Sequence, residues 1–357
     1  MTPFSNHASN STDEERNAWR RAQALHVRLR AAVLADDAVE IASALAAGAD
    51  ANAQRSGSRT IVLMDAAAAG HLDCVEILLP ASEIDARDRL NSTALMHAAH
   101  AGRLACVERL LQAGADPLLR DRFGMTALMR AAKADNLPCA QILLPVSDPK
   151  AIDHFGHTAL MYSADTPNSA TAWCLPLLLP VSDVRARSSW AATIHIFAAL
   201  RNNFGALRAL FALGAPIDWL ARDSQGLDAL AAAALTEALG PEGGPESLET
   251  LLCARKNDFL APSWDANALF EKTLAAGHWA CLDILATGAD VDPALVALAF
   301  MGENRLKMPR WMARQERDEI GAAAFIGEKP AQSNASGVLD SDARFEDPSL
   351  PRAPHRL

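Results

Sequence analysis

Aromatic residues are scarce in this chain: they make up 5% of 357 residues, with a single tyrosine, Tyr162. Strands of sandwiches and barrels favour aromatic and β-branched side chains, so an all-β core is not expected. No apolar run reaches the length of about 18 residues that a membrane-crossing helix needs, so no membrane partner is expected. The chain opens Met1-Thr2-Pro3-Phe4-Ser5-Asn6-His7, without a cationic end followed by an apolar stretch. A secretory signal peptide is therefore not expected. Lysine is rare, 6 residues against 27 arginines, and the formal net charge is −10. Such a charge argues against nucleic acid as the main partner. No Cys-x-x-Cys pair, nucleophile elbow, phosphate loop, His-Glu-x-x-His or kinase signature occurs. Neither catalysis nor a metal or other cofactor is expected. What the chain has in quantity is alanine, the best helix former, in a composition that is 50% hydrophobic and 21% charged. A large helical core is affordable, and the excess of alanine and arginine fits a GC-rich, bacterial genome.

The chain repeats itself. Asn91-Ser92-Thr93-Ala94-Leu95-Met96-His97-Ala98-Ala99, Gly124-Met125-Thr126-Ala127-Leu128-Met129-Arg130-Ala131-Ala132 and Gly156-His157-Thr158-Ala159-Leu160-Met161-Tyr162-Ser163-Ala164 line up, their threonines 33 and 32 residues apart. Weaker copies stand at Val62–Ala67, Thr193–Ala199 and Asp228–Leu230. A second apolar segment follows, as in Val75-Glu76-Ile77-Leu78-Leu79 and Val107-Glu108-Arg109-Leu110-Leu111, and several units end in a turn signal such as Gly114-Ala115-Asp116. The unit reads as two helices and a turn. Threonine caps the first helix, and leucine with the alanine pair forms its buried face. Gly70, Gly102 and Gly277 break the chain between helices. Neither helix is long enough to bury its apolar face alone, so neighbouring units must stack.

These motifs resemble the ankyrin-repeat family, whose unit of roughly 33 residues carries a Thr-Pro-Leu-His signature. The resemblance covers about residues 25 to 302 and implies an all-α solenoid of stacked helix-turn-helix units joined by hairpin-like turns. Alanine replaces the family's proline at Ala94, Ala127 and Ala159, and methionine replaces its histidine at Met64, Met96, Met129 and Met161. Where the family's histidine hydrogen-bonds between loops, methionine only fills space. The expected organisation is a disordered segment over 1–18 and a repeat domain over 19–302, with a tail over 303–357. The domain holds a degenerate first repeat ending at Gly48-Ala49-Asp50, seven more repeats and a half-repeat. Insertions are expected at 166–171 in repeat five and 240–245 in repeat seven. The tail carries one candidate helix near 309–325 and is otherwise read as disordered.

Five cysteines, Cys74, Cys106, Cys139, Cys174 and Cys281, occupy one position on the second helices. Equivalent sites lie about one repeat apart, beyond disulfide reach, so they are read as packing groups in a reducing compartment. His97 and His100 share a helix face, but no carboxylate-rich set accompanies them. These two, with His154 and His157, are read as surface residues.

The resemblance implies that turn tips and first helices share one concave binding face. On it, three residues before each capping threonine, stand Leu90, Phe123, Phe155 and Trp190. Arg89, Arg122 and His154 precede the first three of these, and Lys133 follows the alanine pair of repeat four. Aromatic and arginine side chains are the commonest interface hot spots. These eight residues are the candidate site for a partner protein with an acidic surface. The expected function is a non-enzymatic, monomeric, cytoplasmic interaction scaffold. The alternatives are an inhibitor or immunity-type regulator of an enzyme or toxin, and a secreted host-targeting effector whose activity lies in the tail. The repeated aspartates Asp88, Asp121, Asp153 and Asp223 are expected to brace the turns.

Overall fold

In the computed structural model, residues 13–165, 172–235, 245–258 and 263–299 are described. The chain divides into a unit of residues 1–296 and a unit of residues 297–357. Only 297–299 of the second are described, so the expected tail helix at 309–325 and, apart from Pro245, both expected insertions lie outside the described residues.

Among the described residues every regular element is a helix. They come as short pairs: α1 Asp13–Leu34 with α2 Ala38–Ala46, α3 Val62–Ala69 with α4 Leu72–Leu78, α5 Ala94–His100 with α6 Leu104–Gln112, and α7 Ala127–Lys133 with α8 Leu137–Leu143. Next come α9 Ala159–Tyr162 with α10 Leu175–Leu178, α11 Ile194–Leu200 with α12 Phe204–Ala212, α13 Ala229–Leu235 with α14 Pro245–Asn257, and α15 Ala266–Ala276 with α16 Trp279–Gly288. Helix α17, Pro293–Ala299, follows. Helix α1 begins at Asp13, six residues inside the segment expected to be disordered. Its sequence, rich in alanine, arginine and leucine, favours helix strongly enough to extend the element outward.

The capping threonines explain where the first helices start. Thr93, Thr126, Thr158 and Thr193 take an extended backbone, and each Oγ1 accepts a hydrogen bond from the N–H three residues on, at 3.4, 3.3, 3.2 and 3.5 Å. One otherwise unpaired donor per helix is satisfied this way. Repeat two has Ile61 at that place and no side-chain cap. The leucine and alanines that follow are fully buried, as at Leu95, Ala98 and Ala99. First helices pack on first helices, α3 on α5 and α5 on α7, while second helices pack on second helices, α4 on α6 and α6 on α8. Alanine at the contact lets backbones approach closely, and no pair has a core of its own. Each unit buries its apolar face only by stacking.

The break between paired helices needs a left-handed residue. Gly70 (φ 90°), Gly102 (φ 70°) and Gly277 (φ 76°) supply it, as their sequence positions suggest. In other repeats Asp36, Asp135 and Asn202 hold φ of 55°, 51° and 49° at the equivalent place. Asp and Asn tolerate that region better than other side chains. In repeats two, four and five, Leu-Leu-Pro ends the second helix in a 3-10 turn, at Leu79–Ala81, Leu144–Val146 and Leu179–Val181. Proline lacks the N–H to continue the helix.

Candidate partner-binding face

Each turn is built around one side chain. Asp88 Oδ1 accepts from the N–H groups of Leu90 and Ser92, both at 2.8 Å. Asp121 does the same for Phe123 and Met125, at 2.8 and 2.9 Å, and Asp153 for Phe155 and His157, at 2.8 Å. Asp223 repeats the pattern with Gln225 and Leu227. The expected bracing role is therefore met. The second oxygen, Oδ2, reaches nine residues forward onto the first helix. It meets His97 Nε2 at 3.0 Å from Asp88, Arg130 Nε at 2.9 Å from Asp121, and Tyr162 Oη at 2.5 Å from Asp153. Burial pushes the Tyr162 phenol pKa upward, and the bond to the Asp153 carboxylate adds to the rise. In repeat six Ser188 replaces the acid, and its Oγ accepts from Trp190 and Ala192 at 3.2 and 3.3 Å.

Successive turns are also joined through their backbones. The N–H of the residue after the bracing group donates to the tip carbonyl of the preceding repeat. The bonds are Arg122 to Leu90 at 2.7 Å, His154 to Phe123 at 2.9 Å, Ser189 to Phe155 at 2.8 Å and Ser224 to Trp190 at 2.7 Å. Arg89 starts the row by donating to Ser58 O at 2.8 Å. The approach is close enough that a Cβ on Gly156 would come within 2.8 Å of Ser189 N, which together with its φ of 72° requires glycine there.

With their backbones held in that row, the tip side chains stand out from it. Leu90, Phe123, Phe155 and Trp190 are 38, 38, 41 and 49% exposed. Arg89, Arg122 and His154 beside them are exposed as well. Phe155 and Trp190 lie 6.5 Å apart between ring centres, so part of each is spent on the other. Lys133 is exposed but engaged: its Nζ is 3.6 Å from Asp165 Oδ2 and 5.2 Å above the Tyr162 ring. Arg201 approaches the other oxygen of Asp165 at 2.7 Å, so one carboxylate links cations from repeats four and six.

His157 was expected at the surface and is not there. It is 5% exposed, enclosed by Phe155, Tyr162, Trp190 and Phe197 at 5.1–6.0 Å between ring centres. The residue just before the capping threonine lies beneath the tip, as Ser92, Met125 and Ala192 also do. Burial lowers the pKa of His157 despite the nearby Asp153 and Asp165, with Lys133 and Arg201 adding to the fall.

The comparisons agree with this architecture. Residues 29–121 match the family described as ankyrin repeats in three copies, and residues 110–163 match the family described as ankyrin repeats in many copies. Residues 29–163 are ankyrin repeats. The crystal structure of the human ASB11 ankyrin repeat domain superposes on it with a TM-score of 0.50. The two are 22% identical over 63% of this chain and 96% of that one, a likeness of fold. No curated protein matches the chain.

Ankyrin repeats are generally protein–protein interaction modules and non-enzymatic scaffolds, and in this chain five of the six cysteines go into packing. Cys74, Cys106, Cys139, Cys174 and Cys281 are all free and buried, as their shared position suggests, whereas Cys253 is exposed. Burial pushes the thiol of Cys106 upward, and it takes Cys74, with Asp36 contributing, to about 12. These are inert thiols rather than nucleophiles. Among the described residues one set of metal-type ligands meets: Asp36, His71 and Cys74 offer atoms within 4.8 Å of one another. Hydrogen bonding accounts for that meeting, since Cys74 donates to Asp36 Oδ1 at 3.2 Å and His71 Nδ1 donates to Val33 O at 2.8 Å. The His71 bond is one of a series that sequence reasoning missed. Arg103 Nε donates to Ala68 O at 3.2 Å, Asn136 Nδ2 to Ala99 O at 3.1 Å, and His278 Nδ1 to Ala234 O at 2.8 Å. Each ties the start of a second helix to the repeat before it. The only sequence signal is a polar side chain just ahead of that helix, and three residue types fill the place in these four repeats. No helix among the described residues is long and apolar enough to cross a membrane.

Proposed function

We propose that the protein is a non-enzymatic scaffold that binds a partner protein of acidic surface along the turn tips of repeats three to six. The observation that carries this reading is one large apolar side chain at the same tip position in four successive repeats. Leu90, Phe123, Phe155 and Trp190 are each more than a third exposed. Their backbones are already fixed by the aspartate and inter-turn bonds, so the side chains are not needed to hold the turns. Rigid aromatics displayed in this way give contact area at low entropic cost. Arg89 and Arg122 supply positive charge beside them in a chain of net charge −10, which favours association with an acidic surface. Lys133, held by Asp165 and Tyr162, contributes at the rim.

The test compares affinity with melting temperature in the same variants. With a partner captured by the purified protein, Phe155→Ala and Trp190→Ala are expected to weaken binding by about 1–3 kcal/mol each, with little change in melting. Arg122→Glu is expected to slow association and flatten its salt dependence. Variants that melt much lower yet bind unchanged would assign the tips to packing.

A further inference from the structure

The Thr-Ala-Leu-Met motif places leucine two residues after the cap, and that leucine is core throughout. Leu95, Leu128 and Leu160 are 0–1% exposed, and Leu63 and Leu230 fill the same place in repeats two and seven. Repeat six has His195 there, itself only 2% exposed. Its ring stacks on Phe211 with centres 6.1 Å apart and planes 23° from parallel. Its Nε2 is buried without a hydrogen-bond partner. A polar group left unpaired in a core is destabilising, and five sister repeats avoid that cost with leucine. Stability therefore does not explain the histidine.

The ring also forms part of the wall of a cavity of about 460 Å³ between the turns of repeats six and seven. Val184, Pro216 and Ile217 give it apolar sides, and Arg185, Arg187 and Asp218 give it charge. Arg187 is paired with Asp218 at 3.3 Å. Arg185 is exposed, and among the described residues no acidic group lies within ion-pair distance of its guanidinium. The cavity thus combines apolar walls and one uncompensated positive charge, and the imidazole that lines it carries a nitrogen without a partner. Those are the parts of a pocket that takes an apolar-stemmed anion.

We propose that this cavity binds a carboxylate carried on a short apolar stem, as a glutamate side chain of an acidic peptide presents it, with His195 donating the hydrogen bond and Arg185 supplying the charge. A carboxylate is planar, and one oxygen can take an imidazole N–H while the other faces a guanidinium. The site is distinct from the row of tips and can be filled whether or not that row binds a partner.

The test uses the full chain with ring-labelled histidine, followed by imidazole ¹⁵N–¹H spectra. The probes are N-acetyl-glutamate, its neutral isostere N-acetyl-glutamine and inorganic phosphate. N-acetyl-glutamate is expected to move the His195 signals saturably, and the amide is expected to leave them in place. Arg185→Ala is expected to weaken the response about fivefold, the usual size of one partly exposed charge contact. His195→Leu restores the residue of the sister repeats and so keeps the fold. It is expected to abolish saturable binding of N-acetyl-glutamate, measured by calorimetry, while leaving partner binding at the tips unchanged. His195 signals unmoved by N-acetyl-glutamate, or moved equally by the amide or by phosphate, would overturn the proposal. So would undiminished binding in His195→Leu.

Discussion

In repeats three, four and five an aspartate closes the turn with both carboxylate oxygens engaged, one on the turn and one on the first helix. In repeat six Ser188 closes the same turn with a single hydroxyl, and its bonds are longer, 3.2 and 3.3 Å against 2.8–2.9 Å. The helix position that answers the second oxygen is His97, Arg130 or Tyr162 in the former and Phe197 in the latter. Serine and phenylalanine change together, because a carboxylate facing Phe197 would keep one oxygen buried and unpaired. Two further departures fall in the same repeat. Ala191 takes φ 59° where Asn91, Gly124 and Gly156 stand, and His195 replaces a core leucine. The backbone of the unit therefore survives large changes in how its polar atoms are paired. A repeat that breaks several local rules without nearby compensation is where function is to be sought.

The largest expected difference separates the two kinds of turn. Asp121→Ala should cost roughly 3–5 kcal/mol, because it strands two backbone donors and leaves Arg130 without its buried partner. Ser188→Ala should cost about 1 kcal/mol, the net value of a neutral hydrogen bond. Equal losses in chemical denaturation would show that the second carboxylate oxygen contributes nothing, and the contrast would collapse.

The next effect is centred on repeat six. Burial lowers the pKa of His195 from 6.5 to about 4. Between those values the unfolded chain binds a proton that the folded chain does not, so stability falls as pH drops. From pH 7 to 5 the expected loss is about 2 kcal/mol. His195→Leu should remove that share, so the stabilities of variant and wild type should diverge as pH falls over this range. Parallel pH profiles would mean that the imidazole finds a partner when protonated.

The smallest effect sharpens the turn comparison. An L-residue in the left-handed region costs about 1–2 kcal/mol, while glycine gives back about 0.4–1 kcal/mol through the unfolded chain. Ala191→Gly should therefore raise stability by at most about 1.6 kcal/mol. The converse change, Gly156→Ala, should lower it by more, since its Cβ would also strike Ser189 N. Ala191→Gly lowering the melting temperature would show that repeat six is not strained at its turn.

Much of this was legible in the sequence because it is local or repeated. The threonine caps, the buried leucine and alanines, the bracing aspartates and the buried cysteines follow from residue type at a recurring position. The exposure of Leu90, Phe123, Phe155 and Trp190 was readable in the same way. What escaped was polar pairing across the repeat boundary. His71, Arg103, Asn136 and His278 perform one task with three kinds of side chain, so no motif marks it. Asp36, Asp135 and Asn202 took on a glycine's role through a tolerance that composition does not announce. His157 looked like a surface histidine because alternation along a turn is too short to show which side faces inward.

The row of backbone bonds between turns has a consequence for how such a chain changes over time. The donors at Arg89, Arg122, His154, Ser189 and Ser224, and the acceptors at the tips before them, are main-chain atoms. Every amino acid supplies the acceptor, and every one except proline supplies the donor. The outward side chains take no part in these bonds and can be rewritten without breaking the row, with proline barred from the donor positions. The bonds work as a ruler with blank divisions: the spacing is kept by the backbone, and what is written at each mark is open to selection.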